Sequence, residues 1–333
     1  MKQVAALAGV GIKTVSRVLN DEPGVADSTA RRVRAAVSTL DYQIDLQAGS
    51  LRRGDGRTRT LGLLVGSVDN PFCGLIHRAV EDASLARGVA VFASSLDDNL
   101  EREESAVRAF LQRRVDGLVL TTAHRRPDYL RSLRERHIPA VFVDHRPLGE
   151  NIDAVTSDNR QGAQRATEHL LEHGHRRIAL LADRGELNTA RERRRGFLET
   201  LGRAGATTND ATVTTDLGDE RSAHEAAMRL LTSSEPPTAI FSAQNLITIG
   251  TLRALRETGL ERAIALIGFD DLPLADLLNP GVTVIAQDPY TIGRLAAERI
   301  FQRLEGDTRP SEHVVVPTHL IPRGSGEIRP PSA

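Results

Sequence analysis

From residue 61 onward the chain consists of short apolar runs separated by longer amphipathic stretches, and this alternation constrains the fold more than any other feature. The runs "LGLLV", "VAVFAS", "DGLVL" and "AVFVD" read as strands buried on both faces, with amphipathic stretches near 74–87, 101–113 and 127–136 between them. That is the rhythm of a parallel sheet covered by crossover helices. The rhythm then begins again. "RIALLAD", "TAIFSA" and "IALIGFDD" are separated by helices expected near 160–173, 189–204, 221–232 and 245–257. Two successive α/β units joined at "VTSDN" and near "VTVIAQDP" predict a two-lobed body with parallel sheets. Between the lobes lies a cleft, where strand C-termini gather polar groups. "HVVVPTHLIP" is expected to add one or two closing strands.

The first 60 residues have a different texture. Residues 3–8 read as a short helix, Gly9 to Gly11 as a turn, Ile12 to Asn20 as a second helix, "DEPGVADS" as a loop, and Thr29 to Leu40 as a third helix. A helix-turn-helix needs a small residue at the crossing, a residue free to take positive φ in the turn, and inward apolar positions on the second helix. Ala5, Gly9 and the pair Val15 and Val18 fill those roles, with Val4, Ala8, Val10 and Leu19 completing the inner face. The outward row is Ile12, Lys13, Ser16, Arg17 and Asn20, with Thr14 a further DNA-contact candidate on the same segment, suited to reaching base edges and phosphates from the major groove. Charge agrees. Residues 1–60 hold ten Lys/Arg against six acids, a net +4, while the remainder holds 33 against 38, a net −5. A basic head on an acidic body is suited to a polyanion. A solvated helical hairpin with chance clustering of arginines is the competing reading.

Other chemistries find little support. Lys2 and Lys13 are the chain's only lysines, so a phosphate loop with its following Lys is untenable, and no G-x-S-x-G elbow occurs. His169, His173 and His175 have zinc-like spacing, but Gly174 reads as the cap of a helix whose negative end attracts His and Arg. No metal and no cofactor are expected. Cys73 reads as a small packing residue, and as the sole cysteine it cannot form an internal disulfide. No apolar run approaches the roughly 18 residues of a membrane span. No secretory signal is read at the start of the chain, so a cytoplasmic protein is expected.

The string "VAALAGVGIKTVSRVLN" resembles the DNA-binding head of the lactose/galactose repressor family of bacterial transcription regulators, whose signature runs V-A-x-x-A-G-V-S-x-x-T-V-S-R-x-L-N. Gly11 stands where the family usually has a Ser N-cap. "YQIDLQAGSL" is similar to the family hinge Y-x-P-N-x-x-A-x-x-L at Tyr42, Ala48 and Leu51, with Ile44 and Asp45 in place of Pro-Asn. The resemblance covers essentially the whole chain. It implies an all-α head at 1–42, a hinge at 43–60, and a periplasmic-binding-protein-like body at 61–333, with a first lobe of about 61–156 and 289–304 and a second of about 157–288 and 305–325. It also implies DNA contacts from the outward row together with Thr29, Tyr42, Ala48, Leu51 and Arg52, Leu51 wedging into the minor groove.

For the body the resemblance implies an effector held between the lobes by Asn70, Phe72, Asp144, Arg193, Gln244, Asn245, Asp270 and Gln287. Carboxylates, an arginine and amides suit a small polar, sugar-like metabolite, since each buried hydroxyl demands paired donors and acceptors. Taken singly, each has a plainer reading: an Asp at a strand end caps helices, and Arg193 sits in "RERRR", a run typical of solvated faces. The implied protein is a non-enzymatic, ligand-responsive repressor that binds a pseudo-palindromic duplex as a homodimer. A solute-binding protein and an α/β enzyme with a fused DNA-binding head are the alternatives.

Overall fold

In the computed structural model the described residues are 1–19, 22–42, 56–97, 99–122, 127–147, 149–205 and 211–331. They form two compact units, Met1–Thr58 and Arg59–Ala333. In the first unit, α1 (Lys2–Ala8), α2 (Ile12–Leu19) and α3 (Asp27–Thr39) close around Val4, Ala5, Ala8, Val15, Val18, Val33 and Ala36. Val15 and Val18, three residues apart on α2, share the inward face that helical periodicity demands. Gly9 ends α1 in the left-handed region at φ 63, and the Val10 N–H reaches back to Ala5 O at 3.0 Å. A side chain at Gly9 would be strained, so this residue sets the angle between the two helices.

The second unit contains two six-stranded sheets. In the first, β1 (Thr60–Val65), β2 (Ala90–Ser95), β3 (Gly117–Leu120), β4 (Ala140–Val143), β5 (Asp153–Ser157) and β11 (His313–Val316) run in the order β2-β1-β3-β4-β5-β11, all parallel. In the second, β6 (Ile178–Leu181), β7 (Ala211–Thr214), β8 (Ala239–Ser242), β9 (Ala265–Phe269), β10 (Thr283–Ala286) and β12 (His319–Ile321) run β7-β6-β8-β9-β10-β12, and β12 is antiparallel. The two lobes therefore repeat one topology. Both faces of each sheet are covered. Leu61, Leu63 and Val65 of β1 join one cluster and Leu64 the opposite one, while a Cβ at Gly62 would lie within 2.5–2.9 Å of Leu118 and Phe110.

The first lobe carries α4 (Pro71–Leu85), α5 (Leu100–Gln112), α6 (Tyr129–Glu135) and α11 (Pro289–Leu304), and the second α7 (Asn159–Glu172), α8 (Asn188–Arg203), α9 (Glu220–Leu231) and α10 (Asn245–Thr258). The chain crosses between lobes after β5, after β10 and between β11 and β12. This last crossing corrects one expectation. Residues 305–325 do not all belong to the second lobe: Val314 and Val316 of β11 pair with Val155 and Ser157 on the open edge of β5, whereas β12 pairs with β10. The apolar "HVVV" run completes the first sheet before the chain returns. At that return Asp158 accepts from Thr318 N at 2.8 Å and from Arg165 Nη2 at 2.7 Å, and Arg165 also donates to Thr318 O at 2.9 Å. "VTSDN" and "VTVIAQDP", read as junctions, each contain a strand, β5 and β10, and β7 had no apolar run to announce it. Among the described residues no helix is long and apolar enough to cross a membrane.

Candidate nucleic-acid interface and ligand cleft

On the head, Ile12 is 43% exposed and Lys13 is exposed, while Thr14, Ser16 and Arg17 are half-buried along the same face of α2. Gly11 serves as the N-cap: its carbonyl accepts from Thr14 N at 2.9 Å and Val15 N at 3.1 Å, with no side chain to satisfy a further amide. Arg17 leans onto the following loop. Its Nη2 donates to Pro23 O at 2.6 Å and its Nε lies 3.6 Å from Glu22 Oε2. An exposed pair of this kind is worth about 0–1 kcal/mol, so a guanine edge or a phosphate can take its place. Thr29 lies half-buried at the start of α3, and Tyr42 packs against the head core. Asn20, Ala48, Leu51 and Arg52 lie outside the described residues.

The cleft opens between the C-terminal ends of the two sheets and is lined by side chains of both lobes. Of the eight residues expected there, Asn70, Phe72, Asp144, Arg193, Gln244, Asp270 and Gln287 line it. Asn245 does not line the open space. It is 2% exposed and forms an amide pair with Asn70 across the lobes: Asn245 Nδ2 donates to Asn70 Oδ1 at 2.7 Å, and Asn70 Nδ2 to Asn245 Oδ1 at 3.3 Å. Asn70 also caps α4 by accepting from Phe72 N at 3.0 Å, so one side chain fixes a helix and ties the lobes.

Arg193 departs from the solvated-run reading. It is 5% exposed, donates through Nε to Asn159 Oδ1 and through Nη1 to Ala243 O, both at 2.7 Å, and stacks 3.7 Å above the Phe269 ring. Its Nη2 has no acceptor among the described residues. Gln244 caps α10, its Oε1 accepting from Leu246 N at 2.8 Å and Ile247 N at 3.1 Å, which leaves its amide nitrogen for another partner. Asp270, buried, accepts from Gln287 Nε2 and from Asn245 N at 3.3 Å. Burial pushes its carboxyl pKa up, the nearby Arg193 and Gln287 pull it down, and Asp144 adds to the rise. The buried Gln287 Oε1 has no partner among the described residues.

Sequence reasoning missed several lining residues, among them Ser67, Asp97, His145, Asp183 and Thr189. His145 Nε2 lies 2.8 Å from Thr189 Oγ1 of the other lobe and 3.5 Å from Asp144 Oδ2, a second cross-lobe contact. Its place beside Asp144 in "FVDHRP" was the available signal, as was the strand-end position of Asp183 in "LLAD". Cys73 also borders the cleft, and burial pushes its thiol up to about 11, which keeps it a neutral packing group at physiological pH. Among the described residues no group of three His, Cys, Asp or Glu side chains is arranged to hold a metal ion.

Comparison with known proteins agrees with both halves. Residues 1–45 match the family model described as bacterial regulatory proteins, lacI family, and residues 167–326 match a periplasmic binding protein-like domain. The chain is 34% identical over 99% of its length, and 96% of the relative's, to the HTH-type transcriptional regulator PtxS of Pseudomonas aeruginosa. It is 30% identical to the ribose operon repressor of Escherichia coli, over 98% of this chain and 99% of that one. A solved structure of the lac repressor dimer bound to operator and the anti-inducer ONPF is similar at TM-score 0.83 and 26% identity, covering 97% of each chain.

Proposed function

Because the chain belongs to the LacI family of bacterial regulatory proteins, we propose that it is a homodimeric, sequence-specific DNA-binding repressor that senses a small polar metabolite in its inter-lobe cleft. It acts in the cytoplasm, where its DNA target lies, and it is a regulator rather than an enzyme or a transport-associated binding protein. The observation that carries the reading is the pairing of two features in one chain. A three-helix head presents Ile12, Lys13, Ser16 and Arg17 on one helix face, and a two-lobed body lines its cleft with polar side chains from both lobes.

A single head buries too little surface for tight specific binding, so two heads are needed to read two half-sites. The body offers apolar surface for the pairing. Leu75, Leu85 and Phe92 are exposed on the first lobe and Leu274 and Leu277 on the second, Leu85 and Leu277 at 74% and 73%. The Asn70–Asn245 and His145–Thr189 contacts span the cleft walls, so a ligand entering there changes the balance between lobe arrangements. That shift reaches the DNA through the segment 43–60, where Leu51 is the proposed minor-groove wedge. Selection of bound duplexes from a random pool tests the assignment. The enriched sequences are expected to contain two inverted half-sites, and enrichment of an unpaired motif, or none, would overturn it.

A further inference from the structure

Five helices of the body end in one hydrogen-bonded motif. Val89 N returns to Ser84 O after α4, Val115 N to Phe110 O after α5, Ile138 N to Leu133 O after α6, His175 N to Leu170 O after α7 and Leu260 N to Leu255 O after α10, at 2.9–3.3 Å. The residue just before each of these amides is left-handed, and glycine is its ordinary occupant because a side chain there is strained. Gly88, Gly174 and Gly259 follow that rule. After α5 and α6 the first lobe instead seats Arg114 and His137, both exposed and both at φ 55. Arg59, directly before β1, is left-handed as well, at φ 56. The negative end of a helix attracts cations, but it does not require them in the strained seat: Arg176 and Arg262 of the second lobe stand just beyond their glycines.

All the first-lobe turns lie at one end of its sheet, opposite the cleft, because the strands run parallel and each turn precedes its strand. Arg59, Arg87, Arg113, Arg114 and Arg136 are exposed in the segments 59, 86–89, 113–116 and 136–139 that lead into β1, β2, β3 and β4. Asp116 is the one acid in those segments, and it accepts from Arg59 N at 2.7 Å. Acids nearby have cations of their own. Glu81 and Asp82 lie 3.0 and 4.0 Å from Arg78, Glu135 lies 2.9 Å from Arg131, and Glu150 pairs with Arg134. Towards β11, Glu305 and Glu312 join Asp153 and Asp307, which Arg299, Arg303 and Arg309 hold, so the cationic surplus is confined to the β2-β1-β3-β4 side. Four strands spread it over about 14 Å, a span suited to a polyanion rather than to a small anion. The surplus is local, since residues 61–333 carry a net −5. β1 begins at this end, so the chain coming from the head enters the body among these arginines.

We infer that this rim of the first lobe is a second DNA contact, gripping backbone phosphates of the duplex that the head reads and adding affinity without sequence preference. This rests on the head binding DNA. The test is anisotropy titration of the full-length dimer over a range of salt, with a duplex extending beyond the selected site on both sides and with a shuffled duplex of the same length. Arg114→Gly with Arg136→Ser removes two cations from each protomer. The slope of log affinity against log salt is expected to fall by about 2–4, and affinity at physiological ionic strength by roughly 10- to 100-fold, on both duplexes alike. Arg114→Gly alone relieves the left-handed seat and is expected to keep or raise the melting temperature, which separates a lost contact from a lost fold. The matched change Arg176→Ser with Arg262→Ser in the second lobe is expected to leave the slope as it was. An unchanged slope in the first-lobe variant overturns the phosphate contact while the head's reading of DNA stands. An equal fall in the second-lobe variant overturns it too, because net charge alone would then be at work. If the parent binds neither duplex, the contact and the head's role fall together.

Discussion

The amide pair between Asn70 and Asn245 links the two lobes, and a double-mutant cycle measures it. The pair contains two neutral N–H···O bonds, at 2.7 and 3.3 Å, one partner buried and the other half-buried. A neutral side-chain bond is worth about 1 kcal/mol net, so the two together are expected to couple by about 1–2 kcal/mol. Each residue has a second duty. Asn70 accepts from Phe72 N at 3.0 Å and Asn245 from Leu246 N at 2.8 Å, so either single alanine variant also loses a helix-end contact. The cycle cancels those local losses. Asn70→Ala, Asn245→Ala and the double variant are compared with the parent by calorimetric unfolding and by effector titration. If the closed arrangement is the one that binds ligand, loss of the pair lowers the closed fraction and weakens apparent effector affinity roughly 5- to 30-fold. The double variant then loses less than the sum of the two singles, by that coupling of about 1–2 kcal/mol. Additive effects, with coupling below about 0.3 kcal/mol, would refute the idea that this pair holds the lobes together.

Three further outcomes follow from the same geometry. Arg17→Ala is expected to lose about 1–3 kcal/mol on the preferred duplex and to relax base choice at one position of each half-site; anisotropy titrations showing equal loss on all sequences would remove it from base reading. The raised carboxyl pKa of Asp270 means the folded state holds that proton more tightly than the unfolded chain, so its ionisation costs stability as pH rises above 3.8. Asp270→Asn is therefore expected to raise the melting temperature at neutral pH while abolishing the ligand response, and an unchanged or lower value would contradict this. His175 is fully buried, bonded to Thr238 Oγ1 at 2.9 Å and Ile328 O at 2.7 Å, and burial lowers its pKa below 6.5. The unfolded chain then takes up its proton first as pH falls, so stability should drop below about pH 6.5, and His175→Gln should flatten that slope in denaturant titrations.

What the sequence disclosed and what it concealed divide along the reach of the interactions. The head was legible because its packing is local. Val15 and Val18 face inward by helical spacing alone, and Gly9 marks a turn within one short string. The two α/β series were legible because strands buried on both faces leave apolar runs such as "LGLLV". The strand swap was not: "HVVV" and "HLI" are neighbours in sequence, and which sheet edge each completes depends on partners some 160 and 35 residues away. Seven of the eight residues expected to hold the effector line the cleft, since strand ends gather at the lobe boundary in this topology. Asn245 lies beneath that lining, and its pairing with Asn70 of the other lobe has no local signal in the sequence. The burial of Arg193 was hidden inside "RERRR", although Gly196 and Phe197, three and four residues on and both buried, marked the inward face of that helix. Asp97 and Thr189 carried no local mark at all.

The central claim is that occupancy of the cleft and engagement of DNA by the head are one coupled equilibrium. Effector affinity measured by calorimetry on the free dimer and on the dimer saturated with its selected duplex tests this most directly. Linkage requires the ratio of those affinities to equal the ratio of duplex affinities measured with and without effector, and a ratio of about 5 or more, the same in both directions, is predicted. A ratio of one, with both ligands bound tightly, would contradict the account.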